Sequence, residues 1–204
     1  MENELQPPRI PNQNDLLILC KELNTQQAKY IVVGGLAVIQ LGFLRLTEDI
    51  DLLIEPSKDN QKRVCKALEI LPDKAVRELG EDDLTEYLVV RVADEIVVDL
   101  MLSACGINYN QAVLEVETHT IENIPIPFAS AKLLLKMKQT YREKDAIDRQ
   151  FLEQKIKSQK KWEGRIQKSA DRMGGAQRRQ VAKVDGNSKP LDYKFLLYDK
   201  LHLL

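Results

Sequence analysis

A chain of 204 residues with 44% hydrophobic and 30% charged side chains has the size and composition of one globular domain with room for a tail. Its longest apolar runs, such as Ile31–Val33 and Leu133–Leu135, are far too short for a membrane span, and the polar, proline-containing start MENELQPPRIPNQND lacks the basic and apolar regions of a signal peptide, so no membrane partner is expected. The net charge of −1 hides an asymmetry: residues 1–154 carry 17 basic and 26 acidic side chains, whereas residues 155–183 carry 10 basic and 2 acidic ones, which argues against broad nucleic-acid binding across the acidic body while leaving local contacts open to the basic segment.

Taken in chain order, residues 1–13 read as a loose leader. A first helix is expected from Asn14 or Asp15 as N-cap through Leu16, Leu17, Leu19, Cys20 and Leu23. Tyr30-Ile-Val-Val33 is a short, fully apolar, β-branched run that suits a buried strand; Gly34-Gly35 ends it, and Leu36–Leu41 forms a short helix closed by Gly42. Ile50–Ile54 predicts a second strand stopped by Pro56. Asp59–Ile70 predicts a helix with Val64, Ala67, Leu68 and Leu71 on one face. Lys74–Leu79, Glu86–Val92 and Glu95–Met101 read as strands, the last two joined by a tight turn at Ala93-Asp94. Asn108–Val116 follows as a weak helix and His119–Ile121 as a short strand. Pro125 and Pro127 break the pattern before a long helical region from about Ser130 to Ile156, with Leu134, Met137 and Tyr141 as its apolar stripe. The succession gives an α/β (α+β) fold: a core over 14–128 built on a small mixed sheet with flanking helices, C-terminal helices over 129–160 packed on it, and a basic tail over 161–204. That tail is a solvated helix or a disordered segment, although Trp162 offers a stacking surface for a base; Leu191–Leu204 is apolar enough for a small docking element. Cys20, Cys65 and Cys105 are odd in number and sit among apolar neighbours, so buried free thiols in a reducing cytoplasm are expected in place of disulfides or a zinc site.

The chemically informative stretch is Gly34-Gly35 followed by Asp49-Ile50-Asp51. Alternation along a strand sends Asp49 and Asp51 to one face while Ile50 and Leu52 enter the core. Two adjacent carboxylates repel unless a cation lies between them, and a hard divalent ion is the natural occupant. Asp99, a lone acid in the apolar run Glu95–Met101, needs a partner, and an ion shared with Asp49 and Asp51 would serve. Three carboxylates from neighbouring strands are the kind of set that holds one or two magnesium ions around a phosphate. Gly34 and Gly35, between a strand and a helix, allow a ligand close approach to the backbone and turn N–H groups toward an anion.

The segments Val32–Val38 and Arg45–Leu52 together resemble the nucleotidyltransferase superfamily, with its DNA-polymerase-β-like catalytic core, and look closest to the branch of minimal nucleotidyltransferases and AbiEii-type toxin nucleotidyltransferases. The resemblance covers roughly Leu16 to Leu152. It implies a metal-dependent transfer of a nucleoside monophosphate from a nucleoside triphosphate to a hydroxyl on RNA, a protein or a small molecule, with a cognate toxin or antitoxin protein as a further partner. It implies that Gly34 and Gly35 cradle the triphosphate, although many relatives carry Ser at the second position. It implies that Asp49, Asp51 and Asp99 bind magnesium, and that Asp99 takes the proton from the attacking hydroxyl. Leu134–Lys138 and Arg142–Asp148 resemble the family's following helical segment, which makes Lys136 or Lys138 a phosphate-binding lysine. Asp145 and Asp148 there either support the site or cap the next helix, and Arg45 and Thr47 either orient the acidic pair or cap local backbone. The alternative is a non-catalytic nucleotide-binding or antitoxin-type module of the same fold.

Overall fold

The computed structural model describes residues 7–172, with side chains through residue 168. Helix α1 (Gln13–Thr25) starts two or three residues earlier than expected because Asn12, not Asn14 or Asp15, is its cap: the Asn12 side chain accepts from the Asp15 N–H, and the Asp15 carboxylate accepts from the Asn12 N–H. Of the leader expected over 1–13, residues 1–6 lie outside the described residues, and Arg9 anchors the part that is described. Arg9 grips Asp15 at 2.6 and 2.7 Å and Glu95 at 2.9 Å, and its backbone bridges to Ile96.

Six strands form one mixed sheet. Strand β1 (Tyr30–Val32) leads through helix α2 (Gly34–Gln40) to β2 (Asp49–Ile54), which returns antiparallel to it. Helix α3 (Lys58–Leu68), capped by Ser57, packs Val64, Ala67 and Leu68 into the core. Lys74–Leu79, expected as a strand, is a 3-10 turn over Ala75–Glu78, held where the Asp94 carboxylate accepts from the Asp73 and Ala75 N–H groups. The expected strand over 86–92 is half turn: α4 (Asp83–Glu86) is one helical turn, and only Val90–Ala93 forms β3. Strand β4 (Val97–Met101) pairs parallel with β2 and antiparallel with β3.

After β4 comes a small hairpin of β5 (Ser103–Ala104) and β6 (Ile107–Asn108), which the sequence pattern did not suggest. Its turn holds Cys105 at a positive φ of 48° and exposed, against the expectation of a buried thiol. The weak helix shrinks to α5 (Tyr109–Ala112) and a 3-10 turn. Strands β7 (Val116–Ile121) and β8 (Ile124–Ala129) complete the sheet in the order β3-β4-β2-β1-β8-β7.

Pro125 and Pro127, read as breakers, lie inside β8. The strand tolerates them because β1 pairs with β8 only at Val32–Phe128, so much of that flank needs no N–H donor. There the Asn24 side chain donates to the Pro125 carbonyl at 2.9 Å.

The long C-terminal helix is two helices, α6 (Ala131–Met137) and α7 (Glu143–Arg172). Tyr141, expected on the apolar stripe, lies fully exposed in the break between them. Leu134 and Met137 are buried, Leu152 is buried, and Phe151 stacks on Phe43 at 4.8 Å, which fixes α7 against the core. The basic segment continues α7 to Arg172, and Leu191–Leu204 lies outside the described residues. No helix among the described residues is long and apolar enough to cross a membrane.

Asn60 clips the entry of β1 to the exit of β2. Buried to 3% exposure, its side chain accepts from the Lys29 N–H at 2.7 Å and donates to the Lys29 and Glu55 carbonyls at 2.9 and 3.0 Å. Asn60→Ala strands the Lys29 N–H and the Glu55 carbonyl, while the Lys29 carbonyl keeps the Glu55 N–H at 3.1 Å, and chemical denaturation should show a stability loss of about 2–4 kcal/mol.

Candidate metal centre

The site is written by strand register. On β2 Ile50, Leu52 and Ile54 enter the core on one face, so Asp49 and Asp51 share the other, partly exposed where they stand and buried further along at Leu53. Asp51 stands directly opposite Asp99 on parallel β4, and Asp99 stands directly opposite Arg91 on antiparallel β3. One ligand oxygen from each of Asp49, Asp51 and Asp99 lies within 4.8 Å of the others. The expected convergence of the three acids is therefore present, and the trio could hold a metal ion: its donors are all carboxylate oxygens, which suit a hard divalent cation.

The two glycines serve Asp51 first. Gly34 has φ +60°, and a Cβ there would come 1.8 Å from Asp51 Oδ2. A Cβ on Gly35 would meet Thr47 Oγ1 at 2.2 Å, and the Gly35 N–H points to Asp51 Oδ2 at 3.4 Å. That N–H, expected to face a bound anion, is thus aimed at the chain's own carboxylate. Thr47 is buried, and its hydroxyl lies 3.1 Å from Asp49 Oδ1 and 3.4 Å from the Asp49 carbonyl, within reach of both the carboxylate and the local backbone.

Burial, reinforced by the charges of Asp49 and Asp99, pushes the Asp51 carboxyl up to about 6, and the Gly35 N–H and the Lys138 ammonium only partly oppose the rise. Lys138 lies on the cleft wall with its side chain 12% exposed and pairs with Asp145 and Asp148, each at 2.9 Å. Lys136, the other candidate, points elsewhere. It pairs with Glu115 and takes no part in the cleft lining.

Arg45 also reaches Asp148 and does not touch the acidic pair. Asp145 accepts from Lys138 and Thr140; burial works against its ionisation, yet those hydrogen bonds hold it below the ordinary carboxylate range. Asp145 and Asp148 are therefore members of an ionic network at the α6–α7 break, not helix caps. Arg149 closes that network by donating to the Lys138 and Thr140 carbonyls at 2.6 and 2.8 Å.

Sequence reasoning missed Arg91. Its Nε donates to Asp99 Oδ1 at 2.9 Å and its Nη2 to Asp99 Oδ2 at 2.8 Å, with Asp49 Oδ2 3.3 Å away. The signal was the alternation Val90-Arg91-Val92, which turns Arg91 to the face opposite the two buried valines. The cleft around these residues encloses about 780 Å³ and is lined also by Leu88, Val89, Cys105 and Arg142.

No protein-family model matches this chain, and no curated protein matches it.

A carboxyl raised in the folded state binds protons more tightly there than in the unfolded chain. The folded protein therefore loses stability as pH climbs from about 4 through 6, and the penalty is fully present above that range. Asp51→Asn removes it. In metal-free buffer the variant should exceed the wild type by on the order of 2 kcal/mol at pH 8, the difference vanishing near pH 4. Urea denaturation across that range checks the sign.

Proposed function

We propose that this chain is a magnesium-dependent nucleotidyltransferase, moving a nucleoside monophosphate from a nucleoside triphosphate to a hydroxyl acceptor. One observation carries the reading: Asp49, Asp51 and Asp99 converge within 4.8 Å beside a glycine turn that admits no side chain. The resemblance of Val32–Val38 and Arg45–Leu52 to that superfamily supports it.

In this mechanism the acceptor oxygen forms a bond to the α-phosphorus as the bond to pyrophosphate breaks. The Asp99 carboxylate receives the hydroxyl proton. Bound magnesium supplies the charge neutralisation that phosphoryl transfer chiefly requires. Lys138, fixed by Asp145 and Asp148 where it lines the cleft, presents a cation to the phosphates. Gly34 and Gly35 keep the floor low enough for the triphosphate to approach the backbone. The acceptor is an RNA end, a protein hydroxyl or a small molecule, in a cytoplasmic setting that includes toxin–antitoxin pairs. The basic face of α7, with Lys157, Lys161 and Arg165, is compatible with RNA.

The Arg91–Asp99 pair favours a second reading, a non-catalytic nucleotide-binding or antitoxin-type module, because a guanidinium can balance the acids without a metal. Incubation with labelled nucleoside triphosphates, magnesium and cell extract separates the two. Transfer of label to RNA, protein or a small molecule supports the enzyme, and magnesium-dependent nucleotide binding without transfer supports the module. Asp49→Ala and Asp51→Ala should each abolish transfer while the far-ultraviolet dichroism stays native; full activity in either variant rejects the mechanism.

A further inference from the structure

The carboxylate trio is engaged by a side chain of the protein itself. Arg91 grips both oxygens of Asp99, at 2.9 and 2.8 Å, and the nitrogen making the second bond is 3.3 Å from Asp49 Oδ2. A two-pronged guanidinium–carboxylate pair uses the facing lone pairs of both oxygens. The same nitrogen stands between Asp99 and Asp49, where an ion shared by those two acids would sit. Guanidinium does not lose its proton, so the site cannot be vacated by deprotonation. The side chain must move.

Its position permits that. Strand β3 is an edge of the sheet, and the Arg91 side chain is 60% exposed, whereas that of Asp99 is 9% exposed. The arginine can swing into solvent, and the aspartate cannot follow it.

We infer that Arg91 is a tethered counter-cation, holding Asp49, Asp51 and Asp99 together until a divalent ion displaces it, and thereby setting the affinity for that ion. This rests on the metal-site reading above. Two cations competing for the same oxygens are coupled reciprocally: whatever Arg91 contributes to the metal-free protein is subtracted from metal binding. Loss of Arg91 should therefore weaken the metal-free protein and strengthen ion binding. A residue that merely oriented Asp99 would, when lost, weaken both.

The experiment titrates Mn2+ into the full chain, following the free ion by electron paramagnetic resonance, and records thermal melting with and without the ion. Arg91→Ala should bind Mn2+ more tightly on the order of tenfold, the scale of typical site-to-site coupling. Its metal-free form should melt below the wild type, with saturating Mn2+ closing the gap. Arg91→Lys, which keeps the charge but lacks the planar fork, should fall between the two. Should Arg91→Ala fail to fold, the lysine variant decides. Equal or weaker Mn2+ binding in the folded variants overturns the inference while leaving the metal centre intact. Failure of the wild type and both variants to bind Mn2+ overturns the metal reading and this inference with it.

Discussion

Parallel pairing of β2 with β4 sets Asp51 beside Asp99, and alternation along β2 adds Asp49 to the same face. Three like charges in a partly buried cleft repel, and the Asp51 carboxyl is raised by burial first and by the charges of Asp49 and Asp99 second. Much of the surrounding structure answers that repulsion. The Gly35 N–H turns to Asp51, Thr47 donates to Asp49, Arg91 clasps Asp99, and the Lys138 charge acts on Asp51. A fold under stability selection alone would replace such a cluster with apolar side chains, since buried ionic groups are weak stabilisers. Its presence is the physical reason for looking to function.

Lys138 reaches the cleft only because the helical region breaks. Continued through residues 138–142, it would give one straight rod. Instead, Asp145 and Asp148 on the first turns of α7 reach back to Lys138, and Asp148 also binds Arg45 from the loop before β2. Asp148 is 1% exposed and paired with both cations. The network ties the C-terminal helix, the cleft wall and the loop leading to the acids into one unit. Displacement of α7 would thus be felt by Lys138 and, through Arg45, by the segment that carries Thr47.

What the sequence made legible follows from the range of the forces involved. The facing of Asp49 and Asp51 is a local consequence of strand geometry and could be read from Asp-Ile-Asp alone. Asp99 was found as a charge out of place in an apolar run. Arg91 was not, because its partnership with Asp99 is a cross-strand register, and register is not written in one strand. The choice between Lys136 and Lys138 depended on where α6 ends, and helix ends are set by side chains such as Thr140 and Asp145 that periodicity ignores. Pro125 and Pro127 misled for the same reason: a proline disqualifies a strand only on a side that needs its N–H, and neighbour order is a tertiary fact.

The distribution of charge in the cleft narrows what it can receive. Its lining includes five acidic side chains, Glu48, Asp49, Asp51, Asp99 and Asp145, and five basic ones, Arg45, Arg91, Lys138, Arg142 and Lys144. The acids Asp49, Asp51 and Asp99 gather on the sheet, while Lys138 and Arg142 come from the α6–α7 break and Lys144 from the first turn of α7. A bare polyanion would be repelled by the sheet side, and a bare cation by the basic side chains. The proposed ligand is itself bipolar, with a metal at one end and phosphate oxygens at the other, and would meet attraction on both. Arg91 belongs to the acidic side in sequence register but to the basic set in charge. Once drawn away from Asp99, its long exposed arm would carry a cation toward whatever anion the cleft holds.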